Sequence, residues 1–373
     1  MEKKIEKMFV PHLSKIKPYE PARPLEEQSE RSGVPAEKII RLNANENPYG
    51  PSPKVTESLS TLNAHIYPDP SQRVVRDKIA EYAGVDPSMV IAGAGSDEII
   101  DMLLRLFISP GDKVIECTPT FGMYSFYGRI TGAEIVSIPR TDHFMIDVKG
   151  TINAIDEHTK ILFLNSPNNP TGNLVSREDV VKFLDTNIIV VVDEAYHEFA
   201  RETVSDLVSE YENLVVLRSF SKWAGIAGLR AGYGIMTPVI VNRMMDIKSP
   251  FNINTAGQTA IVASLEDRHT LLKNIDIIIN QRNELFSSLN NITNVKPSPS
   301  RGNYILCEFP SGQADLVFNG LVSRGIFVRK YSNPLLKDHL RISVGTPEQN
   351  VAVINSLIYL VNSLEAPVNI SDN

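Results

Sequence analysis

From Val90 to about Met236 the chain alternates short β-rich runs with helical stretches, and this alternation limits the possible folds more than any other feature. The strand candidates are Lys113 to Cys117, Glu134 to Ile138, Lys160 to Asn165, Asn187 to Asp193, Asn213 to Arg218 and Ala231 to Met236. Several are continuous apolar runs, the pattern of strands covered on both faces. Helices are expected between them at Asp97 to Phe107, capped by Ser96, and at Ser176 to Leu184, where Ser176 and Asp179 suggest a capping box. The sum is an α/β fold built on a large, doubly wound, mostly parallel sheet.

The flanks differ. Residues 1–66 are broken by prolines from Pro11 to Pro53 and show no sustained apolar period, so they read as an N-terminal arm that also supplies part of a smaller domain. Val74, Val75, Ile79 and Tyr82 predict a helix closed by Gly84. Beyond residue 250 a long amphipathic helical region, Thr255 to Leu289, precedes β-like runs at Tyr304 to Glu308, Ile326 to Arg329 and Leu340 to Val344. The expected division is therefore an arm over 1–66, a large α/β domain over 67–255 and a small α+β domain over 256–373.

Charge and cysteine usage exclude several classes of function. The 373 residues hold 37 Lys and Arg against 44 Asp and Glu, a net charge of −7, which argues against binding driven by counterion release from nucleic acid. Apolar stretches such as Ile188 to Val192 are too short to cross a bilayer, and the N-terminus lacks the apolar block of a secretory signal. Cys117 and Cys307 are the only cysteines, with no Cys-x-x-Cys spacing, and His65, His143 and His197 show no ligand spacing. No metal site is expected. A reducing compartment, the cytoplasm, is the expected location.

In open α/β sheets ligands sit beyond the carboxyl ends of the strands. Here Asn168 to Gly172 follow one strand, Asp193 to Tyr196 the next, and Ser219, Ser221 and Lys222 a third, so three successive strand ends converge on one crevice. The segment Gly93 to Glu98 opens a helix, and its bare glycines and unpaired N–H groups suit an anion such as a phosphate. It lacks the third glycine of a dinucleotide fingerprint, and no nucleotide-triphosphate loop is present. Lys222 follows two serine hydroxyls and precedes Arg230, and an amine held among cationic groups is the kind that condenses with carbonyls.

These residues carry a resemblance. Ser219 to Lys222 with Arg230 is similar to the lysine motif of fold-type I pyridoxal-phosphate aminotransferases, and Ser166 to Gly172 and Asp193 to Tyr196 match that family in the same order. Leu42 to Pro53, Tyr67 to Asp69, Gly93 to Glu98, Pro119 to Tyr124 and Leu340 to Thr346 resemble the histidinol-phosphate aminotransferase branch. The matches run from about Tyr19 to Asn350.

The resemblance implies pyridoxal 5'-phosphate as cofactor. Asp193 is then the carboxylate that keeps the pyridine nitrogen protonated, and Tyr196 and Asn169 hydrogen-bond the phenolic oxygen. Lys222 holds the cofactor through its aldehyde and later shuttles the substrate Cα proton. Ser219, Ser221 and Arg230, with backbone N–H groups near Gly95, Ser96 and Asp97, would grip the phosphate, and Phe121 would cover the ring face. Tyr67 corresponds to a tyrosine that relatives extend to a neighbour's cofactor, which implies a homodimer. Arg329 and Arg341 stand where the family binds substrate anions, and Tyr19 and Asn45 where it closes over them. Lys330 occupies a place where relatives often carry an acid.

The implied reaction is L-histidinol phosphate plus 2-oxoglutarate giving imidazole acetol phosphate plus glutamate, a step of histidine biosynthesis. An aromatic-amino-acid aminotransferase and a threonine-phosphate decarboxylase share most of these residues. A non-enzymatic ligand-sensing module would need an added DNA-binding domain, which the proline-broken arm does not supply.

Overall fold

The structure, a computed structural model, describes residues 5–16 and 18–365. Its centre is a seven-stranded sheet in the order β2, β8, β7, β6, β5, β3, β4. The strands are β2 (Val90–Gly93), β3 (Lys113–Thr118), β4 (Glu134–Pro139), β5 (Thr159–Asn165), β6 (Ile189–Asp193), β7 (Leu214–Ser219) and β8 (Gly232–Met236). Only β8 runs against its neighbours. The sheet is thus mostly parallel, as its continuous apolar runs require.

Those runs are divided between two cores by the two-residue period of a strand. Leu162, Leu164, Val190, Val192 and Val216 belong to one buried cluster, whereas Ile161, Phe163, Val191, Val215 and Leu217 belong to the cluster on the opposite face. Each such side chain contributes about 1.5–3 kcal/mol on burial, so the centre of the sheet is the firmest part of the molecule. Register then places Asn165 beside Asp193 and Asp193 beside Leu217, which brings three strand ends to one edge.

A second sheet has five strands in the order β1, β11, β12, β10, β9. These are β1 (Ile40–Leu42), β9 (Lys296–Pro297), β10 (Tyr304–Glu308), β11 (Ile326–Lys330) and β12 (His339–Ser343). The three-residue strand β1, from the proline-rich arm, pairs in parallel with β11.

Local expectations differ from the structure in two places. The amphipathic stretch after Thr255 is two helices, Thr255–Glu266 and Arg268–Asn290. Asp267 sits between them outside helical geometry, and its carboxylate accepts the Thr270 hydroxyl at 2.7 Å. Ser96 is not a cap: the helix Ser96–Phe107 begins after Gly95, and Ser96 makes no capping bond. The Ala94 N–H goes instead to Glu98 Oε2 at 2.6 Å. Ser176 does cap Arg177–Leu184, accepting the Asp179 N–H at 3.1 Å. Among the described residues no helix is long and apolar enough to cross a membrane.

Candidate active site

The strand ends of the large sheet open into a cavity of about 680 Å³, walled on the far side by the five-stranded sheet and by residues 18–22 of the arm. Its floor holds Asn169, Asp193, Tyr196, Ser219, Ser221 and Lys222. Ser96, Asp97, Phe121 and Arg230 line one flank, and Tyr19, Asn45, Arg329 and Arg341 line the other. Of the residues to which the resemblance gives a cofactor or substrate role, the structure gathers all except Gly95, which lies just behind Arg230, and Tyr67.

The floor is held from behind. Arg218 at the end of β7 pairs with Glu194 just past β6 at 3.0 Å, with both side chains almost fully buried. The Arg218 guanidinium also donates to Thr203 at 2.7 Å, and Thr203 to Glu194 at 2.8 Å. This pair fastens the turn that carries Asp193 and Tyr196 to the turn that carries Ser219 and Lys222.

Lys222 Nζ donates to the carbonyl of Ala44 at 3.0 Å. Burial, then the nearby Arg341 and Arg230 guanidinium groups, lower its pKa to about 8, so near that pH half of the amine is uncharged. Burial pushes Asp193 the other way, up to about 6, opposed by the Tyr124 O–H and the Ala195 N–H. Tyr196 is raised to about 12 by burial, while Arg341 and the Asn45 amide pull it down. One small space thus contains an uncharged-capable amine and a carboxyl whose charge is easily lost, the signature of a chemical site.

Tyr196 is held by Asn45, and Asn169 by Arg341. The Tyr196 hydroxyl accepts from Asn45 Nδ2 at 2.9 Å. Asn169 Oδ1 accepts from Arg341 Nη1 at 2.6 Å, and Arg341 Nη2 donates to the Asn43 carbonyl at 2.7 Å. Asn45 is buried in the left-handed region at φ 52°, and Ser343 both donates to its Oδ1 at 2.8 Å and accepts its N–H at 3.0 Å. Its side chain is therefore committed to Tyr196 and Ser343. Arg329 Nη2 donates to the Glu20 carbonyl at 2.6 Å, which draws the arm, with Tyr19, over the mouth. Lys330 also lines the cavity and pairs with Asp315 on the helix Gln313–Val322 at 2.5 Å, which partly offsets its charge.

A phosphate cradle is visible at the other end. Arg230 Nη2 pairs with Asp97 at 2.9 Å, and a Cβ on Gly95 would lie only 2.7 Å from that nitrogen. A Cβ on Gly232 would lie 2.4 Å from the Ser96 nitrogen, so strand β8 must be bare where it passes the loop. Ser219 and Ser221 face the same space, beside the open N–H groups of the helix Ser96–Phe107. Hydroxyls, a guanidinium and a helix start at one end, with a buried carboxylate and a lysine beyond, fit a phosphorylated cofactor with a basic ring and a carbonyl.

Tyr67 lies outside its own chain's cavity. It is 77% exposed and stacks on Phe251 at 4.4 Å. Sequence reasoning gave no role to Tyr124, Glu194, Arg218, Ser343 or Gly232, although Tyr124, Glu194 and Ser343 fall inside the quoted motifs and Arg218 adjoins one. Among the described residues no cluster of His, Cys, Asp or Glu could hold a metal ion.

Fold and site together define a fold-type I aminotransferase. The family model for aminotransferases of class I and II matches residues 37–357, and the chain belongs to that family. Within it the chain belongs with the histidinol-phosphate aminotransferases. It is 44% identical over 357 residues to the histidinol-phosphate aminotransferase of Roseiflexus castenholzii, covering 93% of this chain and 96% of that one. It is 41% identical over 352 residues to the chloroplastic histidinol-phosphate aminotransferase of Nicotiana tabacum, covering 93% and 85%. The solved structure of histidinol-phosphate aminotransferase from Sinorhizobium meliloti, in complex with pyridoxal-5'-phosphate, superposes with a TM-score of 0.87 at 25% identity, covering 95% of this chain and 98% of that chain.

Proposed function

We propose that this aminotransferase moves the amino group of L-histidinol phosphate to 2-oxoglutarate, giving imidazole acetol phosphate and glutamate in histidine biosynthesis. The observation that carries this reading is the meeting, in one cavity, of the Lys222 amine, the buried Asp193 carboxylate and two arginines, Arg329 and Arg341. The relatives' names and the pyridoxal-5'-phosphate of the Sinorhizobium enzyme point to the same cofactor and substrate.

Bound there, pyridoxal 5'-phosphate supplies an electron sink for the charge released when the substrate Cα–H bond breaks. Ser219, Ser221, Arg230 and the N–H groups near Gly95, Ser96 and Asp97 hold its phosphate. Phe121 covers the ring, Tyr196 and Asn169 serve the phenolic oxygen, and Asp193 keeps a proton on the ring nitrogen. Lys222, partly uncharged near pH 8, takes the Cα proton and returns it. Arg329 and Arg341 bind anions of two shapes, a phosphate in one half-reaction and a carboxylate in the other, because a planar guanidinium fork suits both.

The active unit on this reading is a homodimer in the cytoplasm. Tyr67, exposed and outside the lining of its own cavity, would reach a partner's, and both cysteines are buried thiols. The test compares steady-state rates with histidinol phosphate, phenylalanine and tyrosine as amino donors. A preference for histidinol phosphate is expected; a preference for an aromatic amino acid overturns the substrate, and release of carbon dioxide without a keto product overturns the reaction.

A further inference from the structure

Tyr124 opens the helix Met123–Ile130 and is fully buried. Its ring stacks on Phe163 of β5 with centroids 4.7 Å apart and planes 5° from parallel. The edge of Phe121, which lines the cavity, meets it at 5.6 Å and 82°. Packing on two sides thus fixes where the phenol points. Its O–H donates to Asp193 Oδ2 at 2.6 Å, and the other oxygen, Oδ1, accepts the Ala195 N–H at 3.0 Å. We propose that Tyr124 is a positioning residue that fixes both the orientation and the charge of Asp193 against the cofactor's ring nitrogen, an inference that rests on the cofactor reading above.

The surroundings of Asp193 make this donor necessary. Among the described residues no lysine or arginine forms an ion pair with Asp193. The charged and titratable groups facing it, besides Tyr124, include Asp97 from the helix Ser96–Phe107 and Glu194 beside it, both of which disfavour its charge, Tyr196 on the next turn and Tyr304 of β10. Lys222 lies across the same cavity. The buried Arg140 guanidinium lies within electrostatic reach of the Tyr124 phenol. With burial and two carboxylates against it, the ionised form leans on two neutral donors, one of them a backbone N–H that no side-chain replacement can move. The phenol is a permanent donor, because burial and the adjacent Asp193 hold its own pKa well above the usual value. A short O–H to carboxylate bond is of the stronger, charge-assisted kind. A phenylalanine would fill the same stacked space, so the hydroxyl serves Asp193 and not the core.

The test uses full-length protein labelled with carboxyl-¹³C aspartate, with the Asp193 signal assigned by its loss in Asp193→Asn. In cofactor-stripped Tyr124→Phe the Asp193 titration midpoint is expected to rise by about one pH unit or more. The variant should bind pyridoxal phosphate about five-fold more weakly at pH 6, where the native acid is half ionised, and in the holoenzyme the acid limb of kcat/KM should move up with the midpoint. A midpoint within about 0.2 unit of the native one overturns the inference. Should Tyr124→Phe fail to fold, 3-fluorotyrosine at position 124, a stronger donor of nearly the same shape, is expected to lower the midpoint, and an unmoved value again overturns it. A native chain that takes up no pyridoxal phosphate would refute the cofactor reading, whereas an unmoved midpoint refutes only the role of Tyr124.

Discussion

The two sides of the cavity are built in opposite ways. The floor comes from adjacent parallel strands, β5, β6 and β7, whose ends are brought together by register and locked by the buried Arg218–Glu194 pair. The far wall comes from β11, β12 and the arm, segments remote in the chain, and it touches the floor through a few side-chain bonds such as Arg341 to Asn169 and Tyr304 to the Asn168 carbonyl at 2.6 Å. A floor that cannot shift suits fixed chemistry. A wall joined by few polar contacts suits the exchange of two different substrates.

That contrast is broken if floor and wall variants behave alike. Lys222→Ala should lower turnover by at least about 10³-fold with every amino donor, because its amine stands on the cavity floor with Asp193. Arg341→Gln should mainly raise KM, by about 10- to 100-fold for both histidinol phosphate and 2-oxoglutarate, as expected for a lost charge-assisted bond. It should also move the Lys222 midpoint upward from about 8, since a nearby cation has gone, and a pH profile of cofactor uptake by the cofactor-free protein reads that shift. A fall in turnover with unchanged KM would place Arg341 with the floor.

Stability sharpens the same contrast. Glu194→Gln takes from buried Arg218 its hydrogen-bonded carboxylate, leaving Glu198 as the nearby acid, and should cost about 3 kcal/mol in urea unfolding. Asp193→Asn should do the reverse. The folded-state pKa of Asp193 is raised from 3.8 to about 6, so its contribution to stability is complete below pH 4 and lost as the pH rises through 6. Cofactor-free Asp193→Asn should therefore be more stable than the native chain at pH 8, by up to about 3 kcal/mol, with the gap closing near pH 4. Its transamination should nonetheless collapse. The smallest effect belongs to the wall: Lys330→Ala should alter KM less than about two-fold and stability by under about 1 kcal/mol, because its exposed partner is Asp315.

The floor was the more legible side for a physical reason. Runs such as Lys160 to Asn165 carry their own strand signal, and parallel register then places polar strand ends together without further information. The wall depends on pairings such as Ile40 with Ile326, which no local pattern announces in a three-residue strand. Side-chain direction was hidden too. The left-handed backbone of Asn45 sets its amide on Tyr196 and Ser343, and Lys330, on the cavity wall beside Arg329, pairs with Asp315, neither of which a local pattern announces. Tyr124 left one faint trace, its three-residue spacing from Phe121 at a helix start, which puts both rings on one side.

The central claim is that the Lys222 amine is the group that engages the cofactor. Borohydride reduction of the protein after incubation with pyridoxal 5'-phosphate, followed by peptide mass spectrometry, tests it directly. A single phosphopyridoxyl adduct on the peptide containing Lys222 is the predicted result; an adduct confined to other lysines, or none at all, would contradict it.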